Sequence, residues 1–176
     1  MTSRERVAAA IAHRAPDRVP VDLGSSLAST INVTAYRRLR EHLGLDTTRP
    51  PAIWALRSAT VVPDEDVHQR FETDLRPLIL GSPDVAADRR LAENSFLDEW
   101  GVTWVRPEGG HYLPSGGPFY GLEAPTVAEL EKHRWPDPAD PGRYRGLRER
   151  ARQLRETTDC AVVLNLGVGP LHLCQF

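Results

Sequence analysis

The run Cys160-Ala161-Val162-Val163-Leu164-Asn165-Leu166 constrains this chain more than any other feature. It holds a single polar amide, ends at Gly167-Val168-Gly169-Pro170, and reads as a buried strand. The segment before it is helical: Asp140 followed by Pro141 is a strong helix start, and Tyr144, Leu147, Ala151 and Leu154 hold one face as far as Thr157. Two earlier runs share the strand character. Arg18-Val19-Pro20-Val21-Asp22-Leu23 ends in the small-residue loop Gly24-Ser25-Ser26, with Pro20 favouring an edge or strand-start position. Asp74-Leu75-Arg76-Pro77-Leu78-Ile79-Leu80-Gly81 is the other. Helices lie between them. Tyr36, Leu39, His42 and Leu43 give residues 34–43 one face, with Gly44 where a left-handed cap is wanted, and Asp64 can cap a helix carrying Val67 and Phe71. Strand, helix, strand, helix, strand implies parallel pairing through crossovers.

Other segments sit around this framework. Thr2 with Glu5 has capping-box spacing, and Val7, Ala8, Ile11 and Ala12 predict a short helix over 3–13 that Pro16 closes. Residues 82–95 are polar and irregular. Asp98 to Arg106 then alternates with a period near two, and Pro107-Glu108-Gly109-Gly110 supplies turn chemistry before His111-Tyr112-Leu113, which predicts a β-hairpin. A second capping box, Thr126 with Glu129, opens a helix that stops before Trp135-Pro136.

Charge and length exclude several functions. The 176 residues carry 22 Lys and Arg against 24 Asp and Glu, a net charge of −2 without basic clusters, so the electrostatic footprint of a dedicated nucleic-acid binder is missing. No apolar run approaches the roughly 18 residues that span a bilayer, and MTSRERVAAAIAHR lacks the apolar centre of a signal peptide. A cytoplasmic protein without membrane or nucleic-acid partners is expected. Cys160 and Cys174 make no disulfide framework and read as reduced thiols.

Four segments, taken together, resemble the uroporphyrinogen decarboxylase family, including its corrinoid-linked methyltransferase branch. They are Arg4-Glu5-Arg6-Val7, then His13-Arg14-Ala15-Pro16-Asp17-Arg18-Val19-Pro20-Val21, then Asp98-Glu99-Trp100-Gly101-Val102-Thr103-Trp104, and finally Trp135-Pro136-Asp137-Pro138 before the long helix. None is diagnostic alone; their order and spacing across residues 3–170 carry the resemblance. It implies an α/β fold, the N-terminal portion of a (β/α)8 TIM barrel with a β-hairpin insertion. Such barrels run about 250 residues or more, so residues 1–176 would be an incomplete one with three of eight strands recognisable. The uncapped apolar end, Pro170 to Phe176, fits that expectation. An open half-barrel leaves strand edges unpaired, which favours association, a homodimer among the forms.

In a barrel, chemistry sits at the carboxyl ends of the strands. That nominates Asp22, Ser25 and Ser26 after the first expected strand, and Asn165 and Gly167 after the third. The resemblance adds Asp74 as the catalytic candidate, since Phe71 and Leu75 frame it as the family's carboxylate that binds the substrate's pyrrole N–H groups. A carboxylate suits the task because it accepts several hydrogen bonds and offsets charge developing on a protonated pyrrole. The alternative is that Asp74 ends the preceding helix.

Two departures bear on substrate. The family's decarboxylases hold tetrapyrrole carboxylates with two arginines just beyond the first strand, by charge-assisted bonds, whereas residues 24–36 contain no arginine. The tyrosine after the third strand would fall near Phe176, which lacks a hydroxyl. His172-x-Cys174 resembles the methyltransferase branch's zinc pair, but comes early and lacks the third ligand that a catalytic zinc wants.

Weaker features have plainer readings. Gly167-x-Gly169 lacks the third glycine of a dinucleotide fingerprint. Trp100 and Trp104, four apart on an expected strand, would pack on one face, and His13, His42, His68 and His133 default to surface or capping roles. The expected activity is thus a tetrapyrrole-related carboxy-lyase of the porphyrin-biosynthesis type, acting without a cofactor. The alternatives are a corrinoid-dependent methyltransferase-like protein, with zinc and a corrinoid partner, and an inactive fragment or interaction module.

Overall fold

A computed structural model describes residues 1–166; Gly167, His172, Cys174 and Phe176 lie outside the described residues. In chain order the elements are α1 (Ser3–Ile11), α2 (Val33–His42), β1 (Ala52–Ala55), β2 (Thr60–Val62), α3 (Glu65–Arg70), β3 (Leu75–Ile79), β4 (Arg89–Ala92), β5 (Ser95–Leu97), β6 (Thr103–Val105), β7 (Leu113–Gly116), α4 (Val127–Lys132), α5 (Pro141–Tyr144), α6 (Leu147–Thr157) and β8 (Ala161–Asn165). They divide into two compact units. One gathers Met1–Leu80 with the described chain from Gly146 onward, and the other is Gly81–Arg145.

In the first unit, β3 and β8 pair in parallel, in register from Leu75 opposite Ala161 to Ile79 opposite Asn165. The crossover reading of these two runs holds. Helix α6 feeds β8, and α1 is tied to its amino end: Arg4 N–H donates to the Asp159 carbonyl, and its guanidinium to the carbonyls of Arg155, Thr158 and Cys160. Strands β1 and β2 form a separate antiparallel pair. Beside it, Tyr36, Val61 and Val67 form a buried cluster, packed by Leu23, Ile31, Val33, Leu39 and Leu45.

The TIM-barrel expectation is corrected here. Among the described residues the only parallel pairing is β3 with β8; the other sheets are antiparallel, and no barrel portion is present. Residues 18–23, expected as the first barrel strand, form no strand. Two local causes act. Pro20 has no N–H for a ladder. The Val21 N–H is taken at 2.8 Å by the Asp74 side chain, so only the bond from Asp74 N–H to the Val21 carbonyl joins the two backbones.

The second unit is organised by a four-stranded antiparallel sheet in the order β4, β5, β6, β7. The expected hairpin is present as β6 with β7, but β4 and β5 extend it into residues read from sequence as irregular. All four residues of β4 are exposed, so the segment has no burial alternation to announce it. Phe96 stacks on Trp104, with ring centroids 6.3 Å apart, at the sheet's centre.

Local helix signals are read well. The Thr2–Glu5 and Thr126–Glu129 capping boxes are both formed, and Gly44 follows α2 with φ of 66°. Asp64 stands at the cap position of α3 but makes no side-chain cap bond. The helix expected over 140–157 is two helices, because Gly146 at φ 67° separates α5 from α6. Only Trp104 of the Trp100–Trp104 pair lies on a strand. No described helix is long and apolar enough to cross a membrane.

Candidate functional site

The polar centre of the first unit is Asp74, which is 0% exposed. Its Oδ1 accepts from Ser3 Oγ at 2.7 Å, Arg6 Nη1 at 2.5 Å and Arg18 Nη2 at 3.1 Å. Its Oδ2 accepts from Arg18 Nη1 at 2.7 Å and the Val21 N–H at 2.8 Å. A carboxylate offers about four lone-pair sites. Five internal donors therefore use all of its acceptor capacity. Burial pushes the Asp74 carboxyl upward, but the Val21 amide, Ser3, Arg6 and Arg18 together outweigh it and hold it below the ordinary range. Arg6 also forks onto Asp17, at 2.6 and 2.9 Å, and that bond first holds the Asp17 carboxyl well below its usual range. Asp74 thus joins α1, residues 17–21 and the start of β3, while its carbonyl accepts from Ala161 N–H at 2.9 Å beside β8.

The expected substrate-binding residues fall in separate places. Asp22, Ser25 and Ser26 share one loop. Asp22 is exposed; its two carboxylate oxygens accept from Ser25 N–H at 3.0 Å and Ser25 Oγ at 2.7 Å. Two of its roughly four acceptor sites remain for an outside donor. Ser26 and Ser29 close the loop by mutual bonds, and Gly24 N–H donates to the Ser29 carbonyl. Gly24 is required: its φ is 86°, and a Cβ there would stand 2.5 Å from Pro63 Cδ. Asn165 closes β8 opposite Ile79, at the carboxyl end of the parallel pair. Asp74 precedes β3 at the amino end, five residues before Ile79, which sets it about 17 Å from Asn165 at ~3.3 Å per residue.

Sequence reasoning missed two buried clusters. Arg40 of α2 reaches Asp64 at 2.9 Å, Asp66 at 2.8 and 2.9 Å, and the Asp46 carbonyl at 2.6 and 2.8 Å, with Tyr36 Oη donating to Asp64 at 2.7 Å. The Tyr36–Arg40 spacing of four on one helix face was the available signal. His68, expected at the surface, is 2% exposed and lies 2.9 Å from Thr73 Oγ1 through Nδ1. Burial first, and then the Arg76 guanidinium, push His68 below the ordinary histidine range, against the carboxylates of Glu65, Asp22 and Asp64.

In the second unit Asp98 accepts from Trp100 N–H, Val102 N–H and Trp104 Nε1, making residues 98–104 one closed turn. Trp100 meets Trp135 edge-on at 6.4 Å, and Glu99 pairs with Arg143. The chain matches no family model, curated protein or solved structure in the comparisons made. A zinc site would need three soft or imidazole ligands, and no group of three His, Cys, Asp or Glu is placed to hold a metal among the described residues.

Proposed function

We propose that this chain serves a tetrapyrrole-related carboxy-lyase activity of the uroporphyrinogen decarboxylase type, with the Asp22–Ser26 loop facing the ligand. One observation carries the reading. The four segments behind the resemblance pair off within their own units: residues 4–7 and 13–21 converge on Asp74, 68 residues beyond Arg6 and 56 beyond Arg18, and 98–104 meet 135–138 through Trp100 and Trp135.

The role that the resemblance gives to Asp74 passes to Asp22 in this reading. Asp74 is saturated, whereas Asp22 is exposed and held in place by Ser25. Its free acceptor sites suit pyrrole N–H groups, and its charge offsets the positive charge of a protonated pyrrole as a carboxyl group leaves as carbon dioxide. The reaction draws on no cofactor, and a cytoplasmic location belongs to the same reading. The second reading, methyl transfer with a corrinoid partner, is kept because residues 24–36 lack the arginines with which the decarboxylases hold tetrapyrrole carboxylates.

Titration of the chain with uroporphyrin, followed by quenching of its four tryptophans, tests the proposal. Saturable quenching that Asp22→Asn weakens about tenfold is expected, in line with the loss of a charged hydrogen-bond acceptor. Saturation by hydroxocobalamin alone favours the second reading. Binding of neither contradicts both.

A further inference from the structure

The corner between α3 and β3 is built around a histidine that the proposed chemistry does not use. Thr73 Oγ1 lies 2.9 Å from His68 Nδ1 and also accepts a 2.9 Å bond from Arg76 Nη1. Arg76 is itself fixed by Glu65, at 2.9 and 2.8 Å. The Thr73 backbone is held by the same groups: its N–H donates to the His68 carbonyl, and its carbonyl accepts from Arg76 Nη1 and Cys160 Sγ. The next residue is Asp74.

A guanidinium only donates, so Thr73 Oγ1 is an acceptor toward Arg76 and has one hydrogen to give. Neutral His68 can take that hydrogen on Nδ1. Protonated His68 carries a hydrogen there, so the bond must reverse, and two cations then face one hydroxyl oxygen in a buried place. The charged groups acting on His68 are Arg76 from β3, Glu65 and Asp64 from the start of α3, and Asp22 from the loop segment. Glu65 is engaged by Arg76 and Asp64 by Tyr36 and Arg40, while Asp22 is exposed, so solvent screens its pull on the imidazole.

We propose that His68 is an acid-sensitive latch whose protonation reverses its bond to Thr73, sets a second cation against that hydroxyl, and loosens residues 72–74, and with them the hold of Asp74 on residues 18–21. One proton passes from solvent to Nδ1, and no covalent bond changes. The latch does not depend on which ligand the Asp22–Ser26 loop takes.

Once the corner opens, His68 returns to its ordinary range near a pKa of about 6.5. Below that value the open form binds up to one proton more than the closed form, so opening increases as pH falls, toward a limit of about tenfold per pH unit. Amide hydrogen exchange of Val21, Asp74 and Ala161 in the full chain at pH 6.5 and 5.5, corrected for intrinsic rates, reads this directly. The expected result is a rise in opening of up to about fivefold in the wild type and none in His68→Asn, which keeps a polar group near Nδ1 but does not titrate. An equal rise in both proteins, or no rise in the wild type, overturns the latch. If His68→Asn fails to fold, nitrogen-15 titration of the wild-type imidazole decides: protonation that tracks the loss of amide protection supports the latch, and protonation with protection unchanged overturns it.

Discussion

Asp74 shows how much a single carboxylate can organise when its partners are distant in sequence. Ser3, Arg6 and Arg18 stand 71, 68 and 56 residues before it, so nothing in its local context of Phe71 and Leu75 reveals them. Asp74→Asn leaves Arg6 its bonds to Asp17, but puts an uncharged amide with one acceptor oxygen where a fully buried carboxylate served Ser3, Arg6, Arg18 and the Val21 N–H. Breaking a buried pair by removing one partner costs about 3–5 kcal/mol, and urea denaturation should show a loss of that size. The pH dependence follows from the direction of the shift. A carboxyl held below its unfolded value stabilises the fold above about pH 4, and that contribution is lost as pH falls through the folded value. The deficit of Asp74→Asn should therefore narrow when the comparison is repeated below pH 4; a constant deficit contradicts the ionic account. His68 taught the opposite lesson: a helix of six residues gave too little periodicity to show that its histidine faces inward.

At the scale of elements, signals confined to one turn were legible and those depending on a neighbour were not. Capping boxes at Thr2 and Thr126 and the glycine after α2 are local chemistry, and each is formed. Strands β1, β2 and β4 were missed because short strands paired with a single partner need no alternation of burial. Residues 18–23 failed the other way. Their apolar run looked like a strand, but Pro20 and the Asp74 side chain remove the donors that a ladder requires. The loop that follows depends on Gly24, where a side chain meets both a positive φ and the Pro63 ring. Gly24→Ala should cost about 1–3 kcal/mol by thermal or urea unfolding, the range for overpacking and for strained backbone. A cost within a few tenths of a kcal/mol shows that the loop does not need this packing.

At the scale of the molecule, the parallel pair β3–β8 was legible and the architecture around it was not. Strand–helix alternation fixes that two strands run parallel; it does not fix how many others join them. The segment between β3 and β8 carries its own antiparallel sheet, and the two units have separate cores. What the sequence suggested about chemistry now divides between two carboxylates, a saturated one that holds the fold and an exposed one that faces outward. The most direct test sets Asp74→Asn and Asp22→Asn side by side in urea denaturation and uroporphyrin titration. The account predicts that Asp74→Asn loses about 3–5 kcal/mol, while Asp22→Asn stays within about 0.5 kcal/mol of the wild type, as exposed substitutions do, and loses about tenfold in affinity. An Asp74→Asn protein as stable as the wild type but unable to bind the tetrapyrrole would contradict it.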